Sequence, residues 1–167
     1  MKKKLVIIDG SSLLYRAFFA LPPTMTSPDG TPTNAIYGFL RMLLGLYRDL
    51  DPEYMAVTFD KDRHTFRTDM FADYKATRKP APPELIPQFD LILDVLGVAV
   101  YSIPGYEGDD ILGTLSARYE KELPVDIVTG DRDALQLSSS RTTVLLTQKG
   151  ITHMAVMTPE AVYEKYH

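Results

Sequence analysis

Leu5-Val6-Ile7-Ile8-Asp9-Gly10-Ser11-Ser12 decides the fold class. Lys4–Ile8 is an unbroken apolar, largely β-branched run behind a lysine, the pattern of a strand buried on both faces of a parallel sheet. Asp9-Gly10-Ser11-Ser12 then reads as a strand-to-helix turn with Ser11 or Ser12 as N-cap, leading into a helix over Leu13–Phe19. The motif of an apolar run closing on an acid recurs. Met55-Ala56-Val57-Thr58-Phe59 closes on Asp60, and Val125-Asp126-Ile127-Val128-Thr129-Gly130 closes on Asp131, with Asp133 two residues on. Tyr106-Glu107-Gly108-Asp109-Asp110 packs three carboxylates into four residues before a helical stripe of Ile111, Leu115 and Tyr119. Acids favour a helix N-terminus by about 0.3–1 kcal/mol each. That accounts for one or two of them, not for their recurrence at strand ends.

Between these runs the punctuation is regular. Leu21–Thr33 carries Pro22, Pro23, Pro28, Gly30 and Pro32 and reads as a loop. Asn34 is placed to cap a helix running to about Leu50, which Asp51-Pro52 stops. Pro83 suits the first turn of a helix through about Leu96. A short strand at Val98–Tyr101, an acidic helix ending near Leu123-Pro124 and a short helix from Arg132 to Leu137 follow. Strands near Thr143–Leu146 and Ile151–Val156 and a last helix after Thr158-Pro159 complete the chain. Strands alternating with helices predict an α/β fold: a mainly parallel, twisted sheet with helices on both faces and its site at the carboxyl ends of the strands.

Composition narrows the chemistry. With 167 residues, 45% of them hydrophobic, the chain suffices for one α/β domain with a sizeable core. The absence of cysteine excludes disulfides and thiolate metal sites, and the three scattered histidines, His64, His153 and His167, argue against zinc. No run is long enough to span a membrane and no signal peptide follows Met1-Lys2-Lys3-Lys4, so the sequence reads as cytoplasmic. The net charge of −4 hides an asymmetry: Lys61–Lys79 carries six basic residues against three acids, a net of +3 beside a body of −7. That basic stretch, dotted with Phe66, Phe71 and Tyr74 and closed by Lys79-Pro80-Ala81-Pro82-Pro83, reads as a partly helical excursion at about 61–82.

Asp9, Asp60, Glu107, Asp109, Asp110, Asp131 and Asp133 all fall at strand ends or adjoining helix starts. Carboxylates crowded at one sheet edge repel one another unless a cation neutralises them, and oxygen-only ligands select hard ions such as Mg²⁺ or Mn²⁺. Two such ions about 4 Å apart serve phosphodiester hydrolysis.

The motifs Ile8-Asp9-Gly10-Ser11-Ser12, Tyr15-Arg16-Ala17-Phe18, Thr33-Asn34-Ala35-Ile36-Tyr37-Gly38-Phe39 and Phe59-Asp60 resemble, in order, the 5′ nuclease domain of bacterial DNA polymerase I. So do Thr65-Phe66-Arg67, Tyr74-Lys75, Tyr106–Leu115 and Thr129-Gly130-Asp131-Arg132-Asp133. The resemblance runs the length of the chain. It implies a PIN-like, metal-dependent nuclease domain over 1–167 that removes 5′ ends and flaps from branched DNA. It also implies DNA with 5′ flaps, nicks or free 5′ ends as partner, and a polymerase linked in the native protein. By resemblance Asp9, Asp60, Glu107 and Asp109 hold a first ion, Asp110 stands in its outer shell, and Asp131 and Asp133 serve a second. Lys61–Pro82 corresponds to a helical arch. In it Lys75 and Arg78 match a cationic pair that shares the catalytic role with Asp9 and Asp60, while Arg67 and Tyr74 grip the DNA. Two departures stand out. Gly108 replaces a more common alanine, and the family's further Gly-Asp-x-x-Asp segment and helix–hairpin–helix region lie beyond His167. From these the expectation is one ion rather than two, and weak or no cleavage by these 167 residues alone. The alternatives are a non-catalytic DNA-binding fragment and a haloacid-dehalogenase-type phosphatase with Asp60 as nucleophile.

Overall fold

The structure, a computed structural model, describes residues 3–61, 65–71, 74, 80–148 and 153–166. Six strands form one sheet: β1 (Leu5–Asp9), β2 (Tyr54–Thr58), β3 (Ala99–Tyr101), β4 (Val125–Thr129), β5 (Thr142–Thr147) and β6 (Met154–Met157). Their order is β3-β2-β1-β4-β5-β6, and β6 alone runs antiparallel. Leu5 to Asp9 pair with Tyr54 to Thr58 on one side, and Leu5 to Ile8 with Val125 to Val128 on the other. The chain therefore winds outward from β1 to β3, then crosses back to β4. That reversal splays the connections apart above β1 and opens a crevice at the carboxyl edge.

The alternation of side chains along β1 builds two cores. Val6 and Ile8 face α1 (Gly10–Ala20), α2 (Asn34–Leu50) and α4 (Ile86–Val95), where Leu14, Phe39, Phe59 and Ile92 are buried. Leu5 and Ile7 face the opposite way, against Leu112 of α5 (Gly108–Tyr119) and, from the sheet, Ile127 and Val144. A short α3 (Phe66–Met70) and a terminal α6 (Pro159–Tyr166) complete the described elements.

Four local expectations are corrected. The N-cap of α1 is Asp9, whose carboxylate accepts the Ser12 N–H; Ser11 and Ser12 lie inside the helix and their hydroxyls point elsewhere. Asn34 does not cap α2; it is fully buried and its amide faces α1 and α4. The helix after the prolines starts at Ile86, so Pro83 lies ahead of it and Pro87 takes the first-turn position. The acidic helix also stops at Tyr119, short of Leu123. The proposed excursion at 61–82 lies in good part outside the described residues, which show α3 and a bridge from Thr65 to Gly105.

Candidate metal centre

Asp9-Gly10-Ser11-Ser12 holds three strand exits together. Asp9 Oδ1 accepts the Ser12 N–H at 2.9 Å, and Oδ2 accepts the Thr129 hydroxyl at 2.6 Å. The same Thr129 oxygen accepts the Asp131 N–H at 2.9 Å, and Asp131 in turn caps the 3-10 helix Arg132–Leu137 by accepting the Asp133 N–H. Ser11 Oγ reaches the exit of β2, accepting the Asp60 N–H at 3.0 Å. Ser12 Oγ reaches the exit of β4, accepting the Gly130 N–H at 2.9 Å. The two glycines leave room for this packing. A Cβ on Gly10 would stand 2.6 Å from the Phe59 ring, and one on Gly130 would stand 2.7 Å from Ser12 Oγ.

The start of α5 meets the same edge. Gly108 N–H donates to Asp60 Oδ1 at 2.7 Å, which ties β2's acid to the helix. Glu107 is the N-cap and forms a capping box with Asp110, whose Oδ2 accepts the Glu107 N–H at 3.0 Å. Arg67 lays its guanidinium fork on Asp110 with two bonds of 2.6 Å and passes 3.8 Å from Glu107. Asp110 thus holds the arginine in its charged form. The Tyr74 hydroxyl donates to Glu107 Oε2 at 3.2 Å.

Asp9, Asp60, Glu107, Asp109, Asp131 and Asp133 line one open groove of about 1280 Å³. Asp110 does not line it; it faces Arg67 instead. Lys75 and Arg78 lie outside the described residues. Sequence reasoning missed the groove's apolar lining, made by Tyr15, Phe59, Phe89 and Leu93, with Asp90 also in the lining. It also missed Thr129 and the outward reach of Ser11 and Ser12. A threonine as the last residue of a strand, just ahead of an acid, was the available signal.

Asp9 carries the electrostatic signature of the groove. Burial pushes its carboxyl up to about 7, against the opposing pull of the Thr129 and Ser12 hydrogen bonds. The neighbouring Asp109 and Asp60 carboxylates raise it further. A cation would remove both penalties. Among the described residues no three His, Cys, Asp or Glu side chains are arranged to hold an ion directly. The donor set nevertheless fits a hard ion that keeps several waters and takes one or two carboxylates directly.

Comparison with known proteins gives the family. Residues 4–167 match the 5′-3′ exonuclease, N-terminal resolvase-like domain. The chain belongs to this 5′-3′ exonuclease family. Within the family, it is 49% identical over 170 residues to DNA polymerase I of Bacillus caldotenax, covering 99% of this chain and 19% of that protein. It is 42% identical over 168 residues to a 5′-3′ exonuclease of Bacillus subtilis, covering 97% of this chain and 57% of that protein. The chain thus spans between a fifth and three fifths of these relatives. A bacteriophage T5 flap endonuclease solved with DNA and metal ions superposes with a TM-score of 0.72 at 18% identity, covering 98% of this chain and 61% of that one. That likeness establishes the shared fold. Family membership sets aside the phosphatase reading, which gave no role to Asp9 or to Glu107–Asp110.

Proposed function

We propose that this chain carries the metal-binding chemistry of a 5′-3′ exonuclease and flap endonuclease that hydrolyses phosphodiesters in DNA. The observation that supports it best is the convergence of six carboxylates on one groove at the carboxyl edge of the sheet, in a member of the exonuclease family. Asp9, Asp60, Glu107 and Asp109 would hold a first Mg²⁺ or Mn²⁺, and Asp131 and Asp133 a second. A bound divalent ion lowers the pKa of a coordinated water and neutralises charge developing on the phosphodiester.

The chain's own residues set the conditions. Asp9 would bind a cation in its ionised form, since burial and the nearby Asp109 and Asp60 carboxylates, which raise its proton affinity, are the penalties a cation would offset. Ser11, Ser12 and Thr129 fix the strand exits, which limits how far the carboxylates would have to move to meet a ligand. Tyr15, Phe89 and Leu93 add apolar surface to the groove's lining. Arg67 and Tyr74, with Lys75 and Arg78, would face the DNA strand. The substrates would be 5′ flaps, nicks and free 5′ ends, the compartment cytoplasmic, and a polymerase the covalent neighbour.

Cleavage of a labelled 5′-flap duplex by the native polypeptide, with and without Mg²⁺ or Mn²⁺, tests the reading. Asp109→Asn should abolish cleavage and leave flap binding measurable. Binding without cleavage at any metal concentration would instead favour a DNA-binding role.

A further inference from the structure

Two side-chain amides that the site does not use are both fully buried. Asn34 and Gln88 lie 54 residues apart and meet through a 3.0 Å bond from Gln88 Nε2 to Asn34 Oδ1. Gln88 Oε1 accepts the Ala35 N–H at 2.8 Å and the Ile36 N–H at 3.2 Å. Gln88 Nε2 also donates to the Glu84 carbonyl at 2.9 Å. Asn34 Nδ2 donates to the carbonyls of Phe18 at 2.9 Å and Leu21 at 3.4 Å. All four amide N–H groups are thereby used, and both oxygens accept.

The pair does what no local residue does. Thr33, the N-cap of α2, makes no side-chain cap bond, so Gln88 supplies that cap from α4. Asn34 satisfies carbonyls at the end of α1. Three helix ends are thus tied at one dry point, where a half-satisfied network would be costly.

Gln88 is next in sequence to Phe89, which lines the groove. The Phe89 ring meets Tyr15 edge-on at 5.9 Å and Phe59 at 6.3 Å. Phe59 precedes Asp60, and its ring fills the space over Gly10, beside Asp9. The contacts run without a break from the buried amides to two of the groove's acids.

We propose that Gln88 and Asn34 are positioning residues of the metal centre. They seat α4, and through the Phe89–Phe59 contact they keep Asp60 and the Asp9–Gly10 turn in place at the groove where a cation would bind. This rests on the metal-site reading above.

The test measures Mn²⁺ affinity by calorimetry and melting temperature on the native polypeptide. It compares Gln88→Leu with Leu46→Ala, a buried substitution on α2 outside the groove's lining. For Gln88→Leu we expect a loss of affinity of about tenfold, the lower end for residues that orient metal ligands. Leu46→Ala should lower the melting temperature and leave affinity within about twofold, because Leu46 lies outside both the amide network and the groove's lining. At saturating Mn²⁺ the Gln88 variant should also lose kcat on a flap substrate more than it changes KM.

Should Gln88→Leu not fold, Asn34→Ser serves. It shortens the side chain away from Gln88 and should show a smaller loss in the same direction. A Gln88 or Asn34 variant that melts lower yet binds Mn²⁺ as the unmodified protein does would overturn the proposal and leave the metal-site reading standing. Absence of Mn²⁺ binding in the unmodified protein would overturn that reading, and this inference with it.

Discussion

The two edges of the sheet treat acids in opposite ways. At the amino edge Asp126 is paired with Lys4 Nζ at 2.9 Å. Nearby, Glu120 Oε2 accepts hydroxyl bonds from Ser139 at 2.6 Å and Thr142 at 2.8 Å, which lower its pKa. At the carboxyl edge Asp9 is buried among acids, and its pKa rises to about 7. Its neighbours Asp60 and Asp131 each accept a backbone N–H rather than a cation's. Asp110 marks the boundary: Arg67 neutralises it, and it does not line the groove. The amino edge is self-sufficient. The carboxyl edge keeps an electrostatic conflict that a bound cation would resolve, as expected where local stability yields to function.

Replacing Asp9 should break the contrast most severely. Asp9→Asn is expected to weaken Mn²⁺ binding by more than about 100-fold, beyond the usual cost of removing a mere supporting residue. It should also change stability in the opposite sense to an ordinary active-site loss. The native state binds the Asp9 proton more tightly than the unfolded chain, so its contribution is full below the ordinary value of 3.8 and is lost as pH rises through about 7. Without metal, melting temperature should therefore fall between these values, and Asp9→Asn should remove that fall and melt higher at pH 8. Added Mn²⁺ should raise the melting temperature of the unmodified protein alone. Thermal scans across pH would check each statement.

Gly10→Ala comes next. The added methyl would meet the Phe59 ring at 2.6 Å, and that ring is packed between Phe39 at 6.1 Å and Phe89 at 6.3 Å. Overpacking of this kind costs about 1–3 kcal/mol, measurable by denaturant unfolding, and should disturb metal binding as well.

A matched pair sharpens the comparison further. Ser12→Ala removes the acceptor of the Gly130 N–H, and Thr142→Val removes a hydroxyl that bonds Glu120. Each should cost about 1 kcal/mol. Only Ser12→Ala, at the carboxyl edge, should weaken Mn²⁺ binding. Gly108→Ala should do least: its Cβ would sit 3.4 Å from Asp60, an ordinary contact. Stability is expected to stay within about 0.5 kcal/mol, with the Gly108 N–H bond to Asp60 kept.

The acids of the carboxyl edge were legible because a parallel strand buried on both faces is a near-continuous apolar run, and the residue that ends it must lie at the edge. The mainly parallel sheet with helices on both faces followed from the same runs; the order of its strands did not. What the sequence concealed were partner choices. Ser11 and Ser12 looked like caps, yet their hydroxyls serve Asp60 and Gly130, on strands far off in the chain. Asn34 looked like a cap, yet the cap of α2 comes from Gln88. A polar side chain at a helix start has local and distant partners of similar worth, and tertiary packing decides between them. The groove's apolar lining was hidden as well: Phe89 and Leu93 lie on a helix whose start was set three residues too early, and the sequence reading assigned them no role.

Anomalous scattering from crystals of the protein soaked in Mn²⁺ tests the central claim most directly. The account predicts a manganese peak in the groove, within reach of Asp9, Asp60 and Asp109 directly or through bound water, and loss of that peak in Asp9→Asn crystals. A groove that stays empty at millimolar Mn²⁺, or a peak at the amino edge beside Asp126 or Glu120 instead, would contradict it.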